Sequence, residues 1–264
     1  MSLILITGAS DGLGRALAEE LAAGGRHQLL LHGRDADRLA EVARATGGVA
    51  LRADFAALDE VKRLAAEVTR EHGRLDVLVN NAGVGFHVDG RNRHLSRDGY
   101  ELRLAVNYLA PVLLTRELLP LLRGSAAGRV VNVASIGQQP IDFDDPQFAR
   151  DFHEPAAYSR SKLALVCHTL DLADELGGSG VTANSVHPAA YMPTSMSRRS
   201  GMEFVDTLEK GVSAVRRLVD GAELAGVTGR YFDSGQEARA AAEAYDPAYR
   251  RRLRALTEDL LAGF

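Results

Sequence analysis

From its second residue the chain alternates short, solidly apolar runs with longer amphipathic ones, and that rhythm restricts the fold more than any single motif does. The apolar runs fit strands over residues 3–7, 28–32, 49–52, 77–80, 129–134, 181–186 and 229–232. Leu3-Ile4-Leu5-Ile6 and Val77-Leu78-Val79 show no polar alternation, as expected of strands covered on both faces. Between them Leu13, Ala16, Leu17 and Leu21 recur at helical spacing until Gly24 and Gly25 stop the pattern. Further helices are expected over 37–46, 58–72, 98–122, 157–176, 204–220 and 247–261. Such alternation makes βαβ units, whose right-handed crossovers place helices on both faces of a parallel sheet. No repeat, linker or low-complexity tract interrupts it. Residues 1–264 are therefore read as one α/β domain, a doubly wound parallel sheet with helices on both faces.

Composition removes several classes of function. Lys and Arg total 31 against 35 Asp and Glu, a net charge of −4 that leaves no footprint for nucleic acid. The basic cluster Arg250, Arg251, Arg252 and Arg254 reads as the solvated face of a helix. Cys167 is the only cysteine, so neither an internal disulfide nor a thiolate metal site is available, and a cytoplasmic setting fits. The 8 histidines include no His-x-His or i,i+4 pair, and no metal is expected. The first apolar stretch stops at Gly8, too short for a signal peptide or membrane span.

The first strand runs into Thr7-Gly8-Ala9-Ser10-Asp11-Gly12-Leu13-Gly14 and then a helix. Glycines there allow a tight turn and bring backbone N–H groups to a phosphate at the positive end of the helix. The spacing is G-x-x-x-G-x-G rather than G-x-G-x-x-G, and a glycine-rich turn can be a plain connection. Gly8 to Gly12 also spells the G-x-S-x-G of a nucleophile elbow, with Ser10 as nucleophile. An elbow needs oxyanion donors from an earlier strand, and none precedes this one. At the end of the second strand stand Arg34 and Asp35. Arg34 suits a ribose 2′-phosphate and Asp35 a free 2′-hydroxyl; Arg34 is nearer the strand end, which favours NADP(H) over NAD(H).

Thr7-Gly8-x-x-x-Gly12-x-Gly14, Asn80-Asn81-Ala82-Gly83, Asn107, Ser135 and Tyr158-x-x-x-Lys162, in this order, resemble the short-chain dehydrogenase/reductases over essentially the whole chain. The segment before Tyr158, Asn184-Ser185-Val186-His187-Pro188 and Gly229-Arg230-Tyr231-Phe232 look like the retinol-dehydrogenase-like branch. The resemblance implies a Rossmann-type, seven-stranded parallel sheet with a nicotinamide dinucleotide across the C-terminal ends of its strands. Gly8, Ser10, Asp11, Gly12, Leu13 and Gly14 would hold its phosphates, Asp54 and Phe55 its adenine, and Asn81, Ala82 and Gly83 would lie along its ribose. Asn80 matches a position that braces the sheet. Two departures stand out: Pro188-Ala189 replaces Pro-Gly, and Thr194 is displaced by one residue behind Pro193. Contact from Pro188 to the nicotinamide amide survives that change more readily than a role for the Thr194 hydroxyl.

Tyr158 and Lys162 are four apart on an expected helix and share a face. A tyrosine with a pKa of about 10 is a poor acid–base group at neutral pH, and a nearby ammonium or oxidised nicotinamide lowers it. The resemblance makes Tyr158 the acid in reduction and the base in oxidation, Ser135 a donor to the substrate oxygen, Lys162 the ribose holder and Asn107 the anchor of a relay water. Two irregular segments read as lids near the cleft: 138–155, with Phe143, Phe148 and Phe152, and 188–220, with Met192, Met196 and Met202. They point to a bulky, apolar carbonyl or alcohol as the small-molecule substrate. A homodimer or homotetramer through the helices carrying Asn107 and Tyr158 is implied, and the stripe Leu102, Val106, Leu109, Leu113 and Leu114 fits either core or interface. A dehydratase or epimerase would keep the same acid–base pair; a non-catalytic NADP-binding sensor would be expected to have lost it.

Overall fold

The computed structural model describes residues 1–85 and 92–264. In chain order the elements are β1 (Ser2–Ile6), α1 (Gly12–Ala23), β2 (His27–Gly33), α2 (Ala36–Thr46), β3 (Val49–Arg52), α3 (Leu58–Glu71), β4 (Val77–Asn80) and α4 (Leu102–Arg123). They continue as β5 (Arg129–Val133), α5 (Glu154–Glu175), β6 (Thr182–His187), α6 (Ser195–Ser200), α7 (Leu208–Asp220), β7 (Arg230–Asp233), β8 (Gln236–Ala238) and α8 (Pro247–Leu261). The strands form one sheet in the order β3-β2-β1-β4-β5-β6-β7-β8, parallel except for β8. The seven expected strands are therefore eight. β8 is three residues long and mostly polar, so no apolar run announces it, and it folds back on β7 through Ser234 and Gly235, both at positive φ.

Alternate residues of each strand feed two apolar layers. Leu3, Leu5, Leu30, Leu78 and Val130 pack under α3, α4 and α5, while Ile4, Ile6, Leu31, Val79 and Val131 pack under α1 and α7. β1 is hydrogen-bonded to both β2 and β4, so the strand order reverses there and a crevice opens above the carboxyl ends of β1 and β4. Asn80 and Asn132 are register partners on β4 and β5. Asn80 Nδ2 donates to Asn132 Oδ1 (2.8 Å) and Thr115 Oγ1 (3.0 Å), and Asn132 Nδ2 donates to Thr169 Oγ1 (2.9 Å). This buried chain ties the sheet to α4 and α5 and makes Asn80 a brace.

The expected helix over 98–122 starts later, at Leu102, where the Glu101 carboxylate caps the N–H groups of Arg103 and Leu104. Residues Ala105–Leu109 form a widened π turn. Its register fits Pro111, which has no N–H to give the Asn107 carbonyl four residues back. The stripe Val106, Leu109, Leu113 and Leu114 is buried within the single chain, which makes it core. Among the described residues α4 is the one helix long and apolar enough to cross a membrane, and 78% of its apolar window lies inside the protein. α8 packs across α4 and α5: Tyr108 and Thr257 hydroxyls meet at 2.6 Å, Tyr100 donates to the Leu260 carbonyl, and Arg250 pairs with Asp171 at 2.9 Å.

His32 on β2 is buried and stacks on Phe55 with ring centroids 4.0 Å apart. Its Nδ1 accepts the Gly8 N–H (3.3 Å), and its Nε2 meets the Ala53 carbonyl (3.0 Å). That pairing needs the neutral ring, and burial pushes its pKa down to about 4. The unfolded chain takes up this proton first as pH falls, so stability present above about pH 6.5 is lost towards pH 4. The full loss from this one group is about 3 kcal/mol. His32→Gln, which keeps an acceptor without the titration, is expected to show a flatter decline than the native chain when urea midpoints are measured between pH 7 and 4.5.

Candidate active site

The crevice begins with a loop that only glycine permits. A Cβ on Gly14 would lie 2.3 Å from the Gly8 carbonyl oxygen, and one on Gly8, whose φ is +68°, would lie 2.8 Å from the Ala82 Cα. Thr7 and Asn81 lock the approach. The Thr7 hydroxyl donates to the Val79 carbonyl and accepts the N–H groups of Asn81 (2.9 Å) and Ala82 (3.0 Å). Asn81 Nδ2 donates to the carbonyls of Thr7 and Gly8. Asp11 caps α1 through the Gly12 N–H (2.7 Å). Its carboxyl, pushed up by burial, is held below the usual range by hydrogen bonds from Ser195 and Gly12 and by Arg38 and Arg198. Leu13 is buried, so only its backbone faces the crevice.

Ser10 lies against Gly33, and both nitrogens of the nearby His32 are engaged, so no imidazole there serves as a base for an elbow nucleophile. Arg34 is exposed at the end of β2, and its guanidinium has no partner among the described residues. Asp54 accepts the Ala56 N–H (3.1 Å) and faces Arg97 at 3.4 Å, and the Phe55 ring is buried on His32, which leaves only its backbone to face an adenine.

On the other side stand the acid–base residues. Ser135 follows β5, and its hydroxyl hydrogen-bonds the Tyr158 phenol. Lys162, one turn along α5, is buried, and its Nζ donates to the Val133 carbonyl (2.8 Å) with two N–H donors left unmatched among the described residues. A Cβ on Gly83 would sit 3.6 Å from that Nζ, so the turn after β4 and the lysine face one another. Burial drives the two pKa values apart. The Tyr158 phenol is pushed up, against the pull of the Ser135 hydrogen bond, and the Lys162 ammonium is pushed down to about 8. The expectation that Lys162 lowers the Tyr158 pKa is thus outweighed here: the ammonium is 5.7 Å from the phenol ring centroid and desolvation prevails.

The Asn107 side chain is held by partners within the protein. Oδ1 accepts the Val84 N–H (2.7 Å), while Nδ2 donates to the Val84 carbonyl (3.0 Å) and Ser161 Oγ (3.0 Å). The amide is fully committed to clamping the turn after β4, and its backbone carbonyl is the group that Pro111 leaves without an i+4 donor. Pro188 follows β6 and is buried. Thr194 caps α6 and packs on Gly12, where an added Cβ would lie 3.3 Å from its side chain. Between Pro188 and Thr194, Tyr191 has φ +41° and is held by Val205 N–H on its carbonyl and by the Ala190–Asp206 pair.

The lids divide. Phe143 stacks edge-on against Tyr249, and Phe148 packs with Phe152, so each of the three rings has an aromatic neighbour within the protein. In the second segment Met192 is buried and Met196 lies against Gly85. Ile136, Tyr191, Met196, Met202, Phe204 and Val205 are exposed. Sequence reasoning missed His32, Thr7 as a brace and Ser161 as the partner of Asn107. Only Ser161, three residues after Tyr158 and next to Lys162, carried a positional signal.

The family model for short chain dehydrogenases matches residues 2–203. The chain belongs to the short-chain dehydrogenases. Human retinol dehydrogenase 13 is 34% identical over 95% of this chain and 81% of its own length, which places the chain in the retinol-dehydrogenase-like branch. A solved protein from Mycobacterium paratuberculosis superposes with a TM-score of 0.79 at 27% identity, covering 98% of this chain and 93% of that one. The Pseudomonas aeruginosa RhlG/NADP active-site complex superposes with a TM-score of 0.71 at 28% identity, covering 88% and 94%. As a short-chain dehydrogenase the chain is an oxidoreductase by family, and its glycine cradle, its exposed Arg34 and a Lys162 with two N–H donors unmatched among the described residues fit a nicotinamide dinucleotide.

Two measurements probe the site. Tyr158→Phe is expected to lower turnover by about 10² to 10⁴-fold while cofactor affinity, read by fluorescence quenching, stays near the native value. The two opposed pKa shifts predict that kcat/KM for the cofactor falls on the alkaline side near pH 8, as Lys162 loses its charge, while Tyr158 is still protonated. Lys162→Met is expected to abolish that limb and raise the KM for cofactor.

Proposed function

We propose that the protein is an NADP(H)-dependent oxidoreductase that moves hydride between the nicotinamide and a bulky, apolar carbonyl or alcohol. The observation that carries the reading is the convergence of Ser135, Tyr158 and Lys162 opposite the glycine cradle, with Tyr158 and Ser135 already hydrogen-bonded. The cofactor, when bound, supplies or accepts the hydride. Tyr158, held protonated at neutral pH by burial, gives its proton to the carbonyl oxygen in reduction and recovers it in oxidation. Ser135 donates to the same oxygen, and Lys162 turns its unmatched N–H groups to the ribose hydroxyls. Asn107 and Ser161 keep the 81–85 turn in place beside them.

The apolar side chains of 188–205 together with Ile136 support an apolar substrate, as does the name of a relative, retinol dehydrogenase, whose substrate is an apolar alcohol. Arg34, exposed and unpartnered among the described residues, and the NADP complex of RhlG support the phosphorylated cofactor. We place the protein in the cytoplasm and keep a homodimer or homotetramer as part of the reading. One change is needed: α8 packs across α4 and α5, so the surface offered to a second copy there includes α8.

A screen at 340 nm of NADPH and NADH against aromatic, aliphatic and polycyclic carbonyls tests the proposal; turnover confined to small polar substrates, or none with either cofactor, overturns it. Arg34→Ala is expected to weaken NADPH binding by about 10 to 100-fold and NADH binding hardly at all, as for loss of a charged hydrogen bond to phosphate. Equal weakening of both would remove the phosphate role.

A further inference from the structure

A buried ionic cluster beside the site has no part in the chemistry described so far. Arg103 is 0% exposed, and its carboxylate partners Glu101 and Glu154 are 1% and 5% exposed. Arg103 Nη1 meets Glu101 Oε1 at 3.0 Å, Nη2 pairs with Glu154 Oε1, and Nε donates to the Gly85 carbonyl at 3.2 Å. The Phe152 ring lies 5.5 Å from the guanidinium carbon. Two carboxylates and one guanidinium out of water are a poor device for stability alone, since apolar side chains of similar volume serve as well or better. A planar guanidinium with a fixed fork of donors does something those side chains do not: it sets directions.

The directions it sets are those of the site. Gly85 lies on the segment that follows β4 from Asn81, and Val84 beside it is clamped by Asn107. Glu154 opens α5, four residues before Tyr158 and eight before Lys162, on one face of the helix. Glu101 caps α4, which carries Asn107. One side chain therefore joins the turn on the cofactor side, the helix of the acid–base pair and the start of the helix between them. Burial pushes the Glu101 carboxyl up, which the guanidinium opposes.

We propose that Arg103 is a positioning residue: it fixes the 81–85 turn against the first turn of α5, and so sets the separation between the cofactor face and Tyr158–Lys162. The proposal rests on the oxidoreductase reading for its kinetic consequence but not for its structural one. Removing Arg103 alone takes the shared cation from two buried carboxylates, so the test is the triple variant Glu101→Gln/Arg103→Met/Glu154→Gln, which carries no charge at the three positions, with Arg103→Lys beside it. Lysine keeps a charge but offers no fork to reach both carboxylates and Gly85.

In the triple variant, folded at 25 °C by circular dichroism, hydrogen–deuterium exchange is expected to quicken by about tenfold or more in peptides covering 80–85 and 154–162 together. Its kcat is expected to fall by about tenfold or more with cofactor Kd within about threefold, and Arg103→Lys to fall between. Exchange unchanged in either peptide, or kcat within twofold of the native chain, overturns the proposal. A native chain without turnover strikes at the oxidoreductase reading instead, and the exchange result still decides the structural claim.

Discussion

The approach of the α1 loop to the turn after β4 is the contact on which the rest of the site depends. Gly14 passes so near the Gly8 carbonyl that no side chain fits between them, and Asn81 bonds the same carbonyl from the other side. Because β1 sits at the strand-order reversal, this one contact closes the floor of the crevice and fixes where α1 points its N-terminus. Thr7, at the end of β1, ties the loop to β4, and His32 holds it from β2, so the backbone facing a phosphate is positioned by three strands.

Across the crevice the governing quantity is desolvation. It acts on Tyr158 and Lys162 in opposite senses, favouring the neutral form of each. The free protein at neutral pH therefore holds a phenol ready to donate and an ammonium only a little below its own titration. The pair is poised by its surroundings more than by its mutual attraction.

Much of this was legible in the chain. Unbroken apolar runs marked the inner parallel strands because burial on both faces leaves no polar alternation, and β1 and β4 fall where those runs stand. The glycine spacing and the order of Asn107, Ser135, Tyr158 and Lys162 pointed to residues that the fold does bring together. What stayed hidden depends on distance in sequence. His32 meets Gly8 across 24 residues and Arg103 meets Glu154 across 51, and neither pairing leaves a periodic trace. β8 is too short and polar to have a hydrophobic signature, and the π turn at Asn107 follows from the absent N–H of Pro111, a cue that a pattern of apolar spacing ignores. The ring contact of Phe143 is hidden for the same reason, since its partner Tyr249 stands on α8, 106 residues later.

The packing of α8 on α4 also carries a consequence for biogenesis. α4 is made early, whereas the helix that covers Tyr108 is made 124 residues after Leu122, at Asp246 and beyond. At typical synthesis rates that interval is roughly 6 to 25 seconds. During it the most membrane-like stretch of the described chain has its sheet partners but lacks its outer cover, so the nascent chain shows water an apolar face that the finished protein hides.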